Sequence, residues 1–401
     1  MKNKILFVTY GGGHAKIILP IVKALKKQAD YEIYILALTT ATAYFKENGI
    51  DTFGFKDILP LFTNEEQKQI INYGRALAEN NSVVDYNESI AYMGISYFEL
   101  VNLHGEDKAN SLLEKKGRAA FLPEVALTKF LSSISPRVLV TTVSPRAEQA
   151  AIIAAKALSI PSVCINDFIN NNSAKRVAQT EPDITCVISK GVANQINILN
   201  DTLDIRVTGN PAFDRLANLN YNRLDLIKKI GVSGKKKVIL WAAQREHDIH
   251  PFTGKEGKPL LPRMVEAELV KIALDDKFDI ILRSHPNDII DYEQHQNIID
   301  GNDFSLDELL YVCDVVITIS STVGYEGLLL GKGLLTIEGA TINEDGPYNE
   351  VGLSMPIFDL NDIGDSLSIV LEDRKSIVGE GSLLGKATNN ICKIIEELIS
   401  E

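Results

Sequence analysis

Short apolar runs alternate with amphipathic helical patterns along most of this chain, and that alternation restricts its fold more than any other feature. Residues 4–8 read as a strand, 16–28 as a helix with Ile17, Ile18, Ile21, Val22 and Leu25 on one face, and 31–36 as a second strand. A helix over 42–48 stops at Gly49. Repeated strand–helix–strand units predict an α/β fold built on parallel sheets. The rhythm breaks over residues 58–130, where long helical patterns (64–78, 97–114 and 124–132) predict a helical insertion. It resumes with a strand at 138–142, an Ala-rich helix at 146–158, and strands at 160–165, 183–188 and 204–208.

A chain of 401 residues exceeds one ordinary core, so two domains are expected. The turn Gly209-Asn-Pro211 and the basic run Lys235-Lys-Lys237 bracket a change of series. We place a first domain at 1–208, a linker at 209–233 and a second domain at 234–386, with strands near 238–242, 278–282, 315–319 and 333–337. The last helical pattern, in 387–401, has no strand after it and is expected to pack back on the first domain.

The formal net charge of −12 argues against nucleic-acid partners. Cys164, Cys186, Cys313 and Cys392 form no C-x-x-C pair, which disfavours zinc and disulfide frameworks and points to a reducing cytoplasm. The apolar run at the amino terminus is too short for a signal peptide, and no stretch is long enough to span a bilayer. A peripheral contact with the inner face of the membrane stays open, as does the oligomeric state.

The residues that carry chemistry stand where strands end. Arg283-Ser-His285-Pro286 closes one apolar run, and Ser320-Ser321-Thr322 closes another and opens a helix. Ligands of open α/β sheets sit at the carboxyl ends of the strands, and a helix N-terminus offers unpaired N–H groups to a phosphate. Hydroxyls of Ser320, Ser321 and Thr322, with charge from Arg283 and His285, suit the phosphate of a nucleotide sugar; plain helix capping by the same serines is compatible with that use. Arg245, just past the strand at 238–242, is a second phosphate candidate, against a solvated loop arginine. Gly11-Gly12-Gly13-His14 follows the first strand. Gly12 and Gly13 give a tight turn and close backbone approach, and His14 at a cleft edge is the first candidate base. Asp167, at another strand end, is the second, against a helix-cap role. His247 and His250 lack a carboxylate set, so no metal site is expected. Residues 255–262 read as a mobile lid, Glu344-Asp-Gly346 as a loop touching a sugar, and Tyr92, Tyr97 and Phe98 as an acceptor channel or simply core.

These stretches resemble those of known families. Gly11-Gly-Gly-His14 resembles the amino-terminal glycine loop of nucleotide-sugar glycosyltransferases. Val207-Thr-Gly-Asn-Pro211 resembles the interdomain stretch of that group and of UDP-N-acetylglucosamine 2-epimerases. His285-Pro286 with Ser320-Ser321 resembles the paired motifs of bacterial capsule sialyl-, polysialyl- and Kdo-transferases, and Arg283-x-His-Pro with a Ser-Ser loop also occurs in polyol-phosphate transferases. The resemblance covers most of the chain except 58–130. It implies the GT-B fold, two Rossmann-like domains with parallel sheets facing across a cleft. It further implies metal-independent transfer from a nucleotide-sugar donor to a hydroxyl of a glycan, lipid-linked or protein-linked acceptor in bacterial surface glycan synthesis, with no cofactor beyond that donor. Catalytic roles fall to His14, Asp167 and His285, and a ribose contact to Glu326. A 2-epimerase, a CDP-alditol-using polyol-phosphate transferase and a non-catalytic nucleotide-sugar sensor are the alternatives.

Overall fold

The structure is a computed structural model that describes residues 2–79, 84–167, 169–250, 253–285, 297–372 and 383–400. The chain divides into two compact units: Met1–Asp167 with Asn172–Ala212 and Lys386–Glu401, and Phe168–Asn171 with Phe213–Gly385. Each unit is built on a six-stranded, wholly parallel sheet, so the α/β expectation holds.

The first sheet comprises β1 (Asn3–Thr9), β2 (Tyr31–Ala37), β3 (Val138–Thr142), β4 (Ser162–Asn166), β5 (Ile184–Val187) and β6 (Asp204–Val207), in the order β2-β1-β3-β4-β5-β6. β3 and β4 are buried along their whole length, as strands covered on both faces must be. Ile17, Ile18, Ile21, Val22 and Leu25 of the helix Gly13–Leu25 pack on one face. The helix Ala387–Ser400 joins the same cluster through Ile391 and Ile395, and Arg137 Nη2 donates to the carbonyl of Ile399 at 2.9 Å. The closing helix therefore belongs to the core of the first unit.

The insertion is helical, with two differences from expectation. The pattern over 97–114 is two helices, Tyr86–His104 and Glu106–Lys116, because Gly105 takes φ 80 and ends the first. The first of these begins at Tyr86, capped by Asp85, whose carboxylate accepts from the Glu88 amide at 3.0 Å. It serves as a spine for its neighbours. Glu88 accepts from the amides of Phe55 (2.6 Å) and Lys56 (3.0 Å), and Glu99, on the same face, from those of Val125 (3.0 Å) and Ala126 (2.7 Å). Burial pushes the Glu99 carboxyl up to about 7 against those amides. Tyr97 and Phe98 are buried in this layer rather than lining a channel.

In the second unit, β7 (Lys237–Ala242), β8 (Phe278–Arg283), β9 (Ile298–Asp300), β10 (Val315–Thr318), β11 (Gly333–Ile337) and β12 (Met355–Ile357) run in the order β12-β11-β10-β7-β8-β9. The edge strands β9 and β12 are additions to the four strands read from sequence; three residues are too few to show a period. Gly324 and Gly327 let the helix Thr322–Leu329 lie close on the sheet, since a Cβ at Gly327 would stand 2.7 Å from Val316 Cγ2. No described helix of either unit is long and apolar enough to cross a membrane.

One contact in the insertion makes a sharp test. Helices Asn64–Leu77 and Tyr86–His104 cross at Gly74 and Gly94: a Cβ on Gly74 would run into the carbonyl oxygen of Ile90, and one on Gly94 into that of Ile70. Helix propensity alone favours Ala over Gly by about 1 kcal/mol. Overpacking opposes it and costs typically about 1–3 kcal/mol. Gly74→Ala is therefore expected to destabilise the protein in chemical denaturation; a stabilised variant would show that the helices do not touch there.

Candidate functional site

Each sheet reverses its strand order at one point, and each reversal carries a polar cluster. In the first sheet, β1 leads to β2 on one side while β3 and its successors lie on the other. Loops leaving β1 and β3 diverge, so a crevice opens at their carboxyl ends. The turn after β1 shapes one wall. A Cβ on Gly11 would collide with the hydroxyls of Thr39 and Thr40, and Gly12 takes φ 67 and donates its N–H to Thr40 Oγ1 at 3.0 Å. Gly13, with open space at its Cβ position, starts the helix that carries His14.

His14 then meets residues from β3 and β4. Its Nδ1 lies 2.9 Å from Thr142 Oγ1 and 3.6 Å from Glu148 Oε1, and its Nε2 lies 3.9 Å from Asp167 Oδ1. Thr142 Oγ1 donates its single proton to Glu148 Oε1 at 2.5 Å, and the Tyr10 amide donates to the same oxygen at 2.8 Å. Nδ1 must therefore be the donor toward Thr142. Glu148 and Asp167 are 1% and 6% exposed. Glu148 Oε2, Asp167 Oδ1 and both side-chain polar atoms of Asn166 are buried without a hydrogen-bond partner among the described residues. Arg176, half-buried, adds positive charge beside Glu148. Sequence reading picked out His14 and Asp167 separately and missed Thr142, Glu148 and Arg176; only the acid one turn beyond a strand end hinted at Glu148.

Burial alone would discharge His14, but the charge of Asp167 and the bond and charge of Glu148 outweigh it and push its pKa up to about 9. Burial raises Asp167 to about 6, with the His14 charge pulling the other way. At neutral pH the resting pair is imidazolium and carboxylate.

The second sheet repeats the arrangement. β7 leads to β8 and β9 on one side, and β10 to β11 and β12 on the other. Gln244, just beyond β7, bridges to the end of β10: its Oε1 accepts from the Ser320 amide at 2.7 Å and lies 3.1 Å from Thr318 Oγ1, and its Nε2 donates to Ser320 Oγ at 3.3 Å. Ser321 caps the helix Thr322–Leu329 by accepting from the Val323 amide at 3.3 Å, and Thr322 is exposed at its first turn. Glu326, only 5% exposed, takes an ion pair from Arg215 Nη2 at 2.5 Å, which also reaches Asp307 at 3.0 Å. Gln244 and Arg215 had no motif to announce them.

The other sequence candidates are placed as follows. Arg283 is half-buried and donates to the carbonyls of Gly301 (3.3 Å) and Phe304, so it braces the 301–304 loop. His285 is exposed at the described end of its loop, and Pro286 lies outside the described residues. Arg245 is exposed and makes no ion pair among the described residues. Its neighbour Glu246, 1% exposed, accepts from the Thr341 amide (2.7 Å) and hydroxyl (2.6 Å). The 255–262 and 343–348 loops are tied together: His250 Nε2 lies 3.2 Å from Asp345 and Lys255 pairs with Glu344. Among the described residues no His, Cys, Asp and Glu group has an arrangement that would hold a metal ion.

The first cluster makes a prediction with a definite sign. His14 titrates near 9 when folded against an ordinary value of 6.5, so it contributes stability that is complete below pH 6.5 and lost as pH rises through 9. Histidine ring signals in NMR should titrate late for His14 and earlier in Asp167→Asn. The fall in melting temperature that His14 causes over that window should vanish in His14→Gln. A wild-type His14 titrating at or below 6.5 would contradict the electrostatics described here.

No protein family and no curated protein matches the sequence. Solved structures do match. UDP-GlcNAc 2-epimerase from Neisseria meningitidis bound to UDP-GlcNAc is similar over 98% of this chain and 100% of its own, at 13% identity and TM-score 0.56. UDP-GlcNAc 2-epimerase from Methanocaldococcus jannaschii is similar over 98% and 99%, at 13% identity and TM-score 0.56. The glycotransferase of kitacinnamycin is similar over 100% of both chains, at 15% identity and TM-score 0.58. With two parallel six-stranded sheets in two units, and likeness over its whole length to these enzymes, the chain has the GT-B fold.

Proposed function

We propose that the protein is a glycosyltransferase that moves a sugar from a nucleotide-activated donor to a hydroxyl acceptor, in bacterial surface glycan or glycoconjugate synthesis. The observation that carries the reading is the buried His14–Thr142–Glu148–Asp167 network with its unpartnered oxygens, set at a switch point of the sheet. Transfer needs an acceptor for the proton of the attacking hydroxyl and stabilisation of the departing phosphate. The second unit is assigned the donor: Ser320, Ser321 and Thr322 at a helix N-terminus offer amides and hydroxyls to the diphosphate, and Gln244 fixes the Ser320 amide. Arg245 and His285, both exposed, are the hydrogen-bond donors assigned to the same anion.

The electrostatics reverse the order of the two candidate bases. His14 already holds its proton at neutral pH, whereas Asp167 is ionised and has a buried oxygen without a hydrogen-bond partner. We assign Asp167 as the group that takes the hydroxyl proton, with the His14 imidazolium orienting it and offsetting negative charge. The acceptor O–C1 bond forms, the bond from C1 to the phosphate oxygen breaks, the proton passes to Asp167, and the nucleotide leaves as its phosphate.

A second reading is supported by the epimerases among the similar structures: a 2-epimerase acting on a UDP sugar. Incubation with UDP-N-acetylglucosamine alone separates the two, because an epimerase yields N-acetylmannosamine without any acceptor. The transferase should bind pyrimidine nucleotides and raise its melting temperature by mass action, and Gln244→Ala should weaken that response. Its kcat/KM should rise through pH 6 and fall through pH 9, since Asp167 must be ionised and His14 protonated. Asp167→Asn should lower kcat by roughly 10²–10⁴-fold with nucleotide binding intact. A rate that climbs through pH 9 would return the base role to His14, and no response to any nucleotide would overturn the assignment.

A further inference from the structure

The first unit also holds an open pocket, about 570 Å³ with the solvent at its mouth included, between the helical insertion and the ends of β1, β2 and β3. Tyr10, Leu38, Tyr92 and Met93 give it an aromatic and aliphatic wall, and Arg118 and Arg146 enter it. The Arg146 guanidinium lies 5.3 Å from the Tyr10 ring centroid, within cation–π range. Burial raises the Tyr92 phenol, and the neighbouring Arg146 opposes that rise. Of the carboxylates at the wall, Glu88 accepts from the Phe55 and Lys56 amides, and Glu79 lies 3.7 Å from Arg118 of the same wall. Arg146 makes no ion pair with a carboxylate among the described residues.

The backbone at this cavity is unusual. Arg146 has φ 77 and ψ −112, and Thr39, also in the wall, has φ 53 and ψ −124. Gly12 takes the same conformation, φ 67 and ψ −128, at the neighbouring strand end. Glycine adopts it freely, whereas side chains are strained there. Two residues whose side chains face one cavity thus occupy positions suited to glycine. The cavity also adjoins the acid–base network, because Tyr10 gives its amide to Glu148, two residues after Arg146.

We propose that this cavity binds the acceptor through an anionic group, a carboxylate or a phosphate carried on a hydroxyl-bearing ring. This rests on the transferase reading above and names the chemistry of its acceptor. The planar guanidinium of Arg146 matches both oxygens of such a group, and Tyr10 and Tyr92 offer flat surface to the ring. Arg118, exposed and loosely paired, adds positive charge at the rim.

Calorimetry with glucose 6-phosphate, glucuronate and glucose tests the proposal, with a UDP thermal-shift measurement in parallel. At least one anionic sugar should bind tenfold or more tighter than glucose, and which one separates phosphate from carboxylate recognition. Arg146→Gln should lose at least tenfold in that affinity, and Arg146→Lys should lose less. Arg146→Gly should lose it too while raising the melting temperature, because strain is relieved as the clamp is removed. Equal binding of all three sugars, no binding of any, or unchanged anion affinity in Arg146→Gln overturns the proposal. A wild-type UDP response without anion binding sinks this inference alone; anion binding without any nucleotide response sinks the transferase reading and leaves the cavity assignment standing.

Discussion

Parallel strands that lead away from each other leave a crevice that no side chain of the sheet can fill, and both units of this protein are organised around that constraint. In the first sheet the divergence lies between β1 and β3, in the second between β7 and β10. Two pairs of glycines serve these two points. Gly11 and Gly12 give a turn tight enough to start a helix directly at the end of β1. Gly324 and Gly327 draw another helix onto β10 and β11, which sets Ser321 at the sheet edge. The insertion and the closing helix contribute burial and walls, while Glu148, Asp167 and Asn166 place four buried polar atoms without a hydrogen-bond partner among the described residues at the first divergence.

That concentration is what separates a site from a core. A buried polar atom left without a partner costs roughly 1–3 kcal/mol. Glu148, Asp167 and Asn166 hold four such atoms among them, packed beside a histidine. A buried ion pair seldom repays its own desolvation, so the cluster is poor architecture if stability is its only purpose. Buried carboxylate oxygens with hydrogen-bonding capacity to spare beside an imidazolium are, by contrast, suited to proton transfer. The second divergence is satisfied differently. Gln244 uses both ends of its amide on Ser320, which fixes a main-chain N–H rather than leaving a charge exposed.

Much of this was legible in the sequence, for physical reasons. Strands covered on both faces read as apolar runs, and their carboxyl ends are marked by the abrupt appearance of Gly, Ser or Asp, so the parallel α/β fold and the placing of His14, Asp167, Ser320 and Ser321 at strand ends could be read directly, whereas the GT-B fold came from the family resemblance of those strand-end stretches. Partners supplied by tertiary proximity could not. Thr142 meets His14 from 128 residues away, and Arg215 meets Glu326 from 111. Gln244 looks like any polar loop residue until β7 and β10 are paired. The insertion was misread over 97–114, where a helix that begins at Tyr86 ends at Gly105 and a second one starts. Arg283 was read as a phosphate ligand from its motif, and nothing in the sequence signalled that its Nη1 also donates to the carbonyls of Gly301 and Phe304. Propensity carries no information about which carbonyl an arginine will find.

A crystal structure of the protein grown with UDP is the most direct measurement of the central claim, that ligands occupy the points where strand order reverses. The diphosphate should lie against the Ser320–Thr322 turn, within hydrogen-bonding distance of the amides that begin the helix Thr322–Leu329. A diphosphate bound along the outer strands β9 or β12, or density for the nucleotide away from the ends of β7 and β10, would contradict the account.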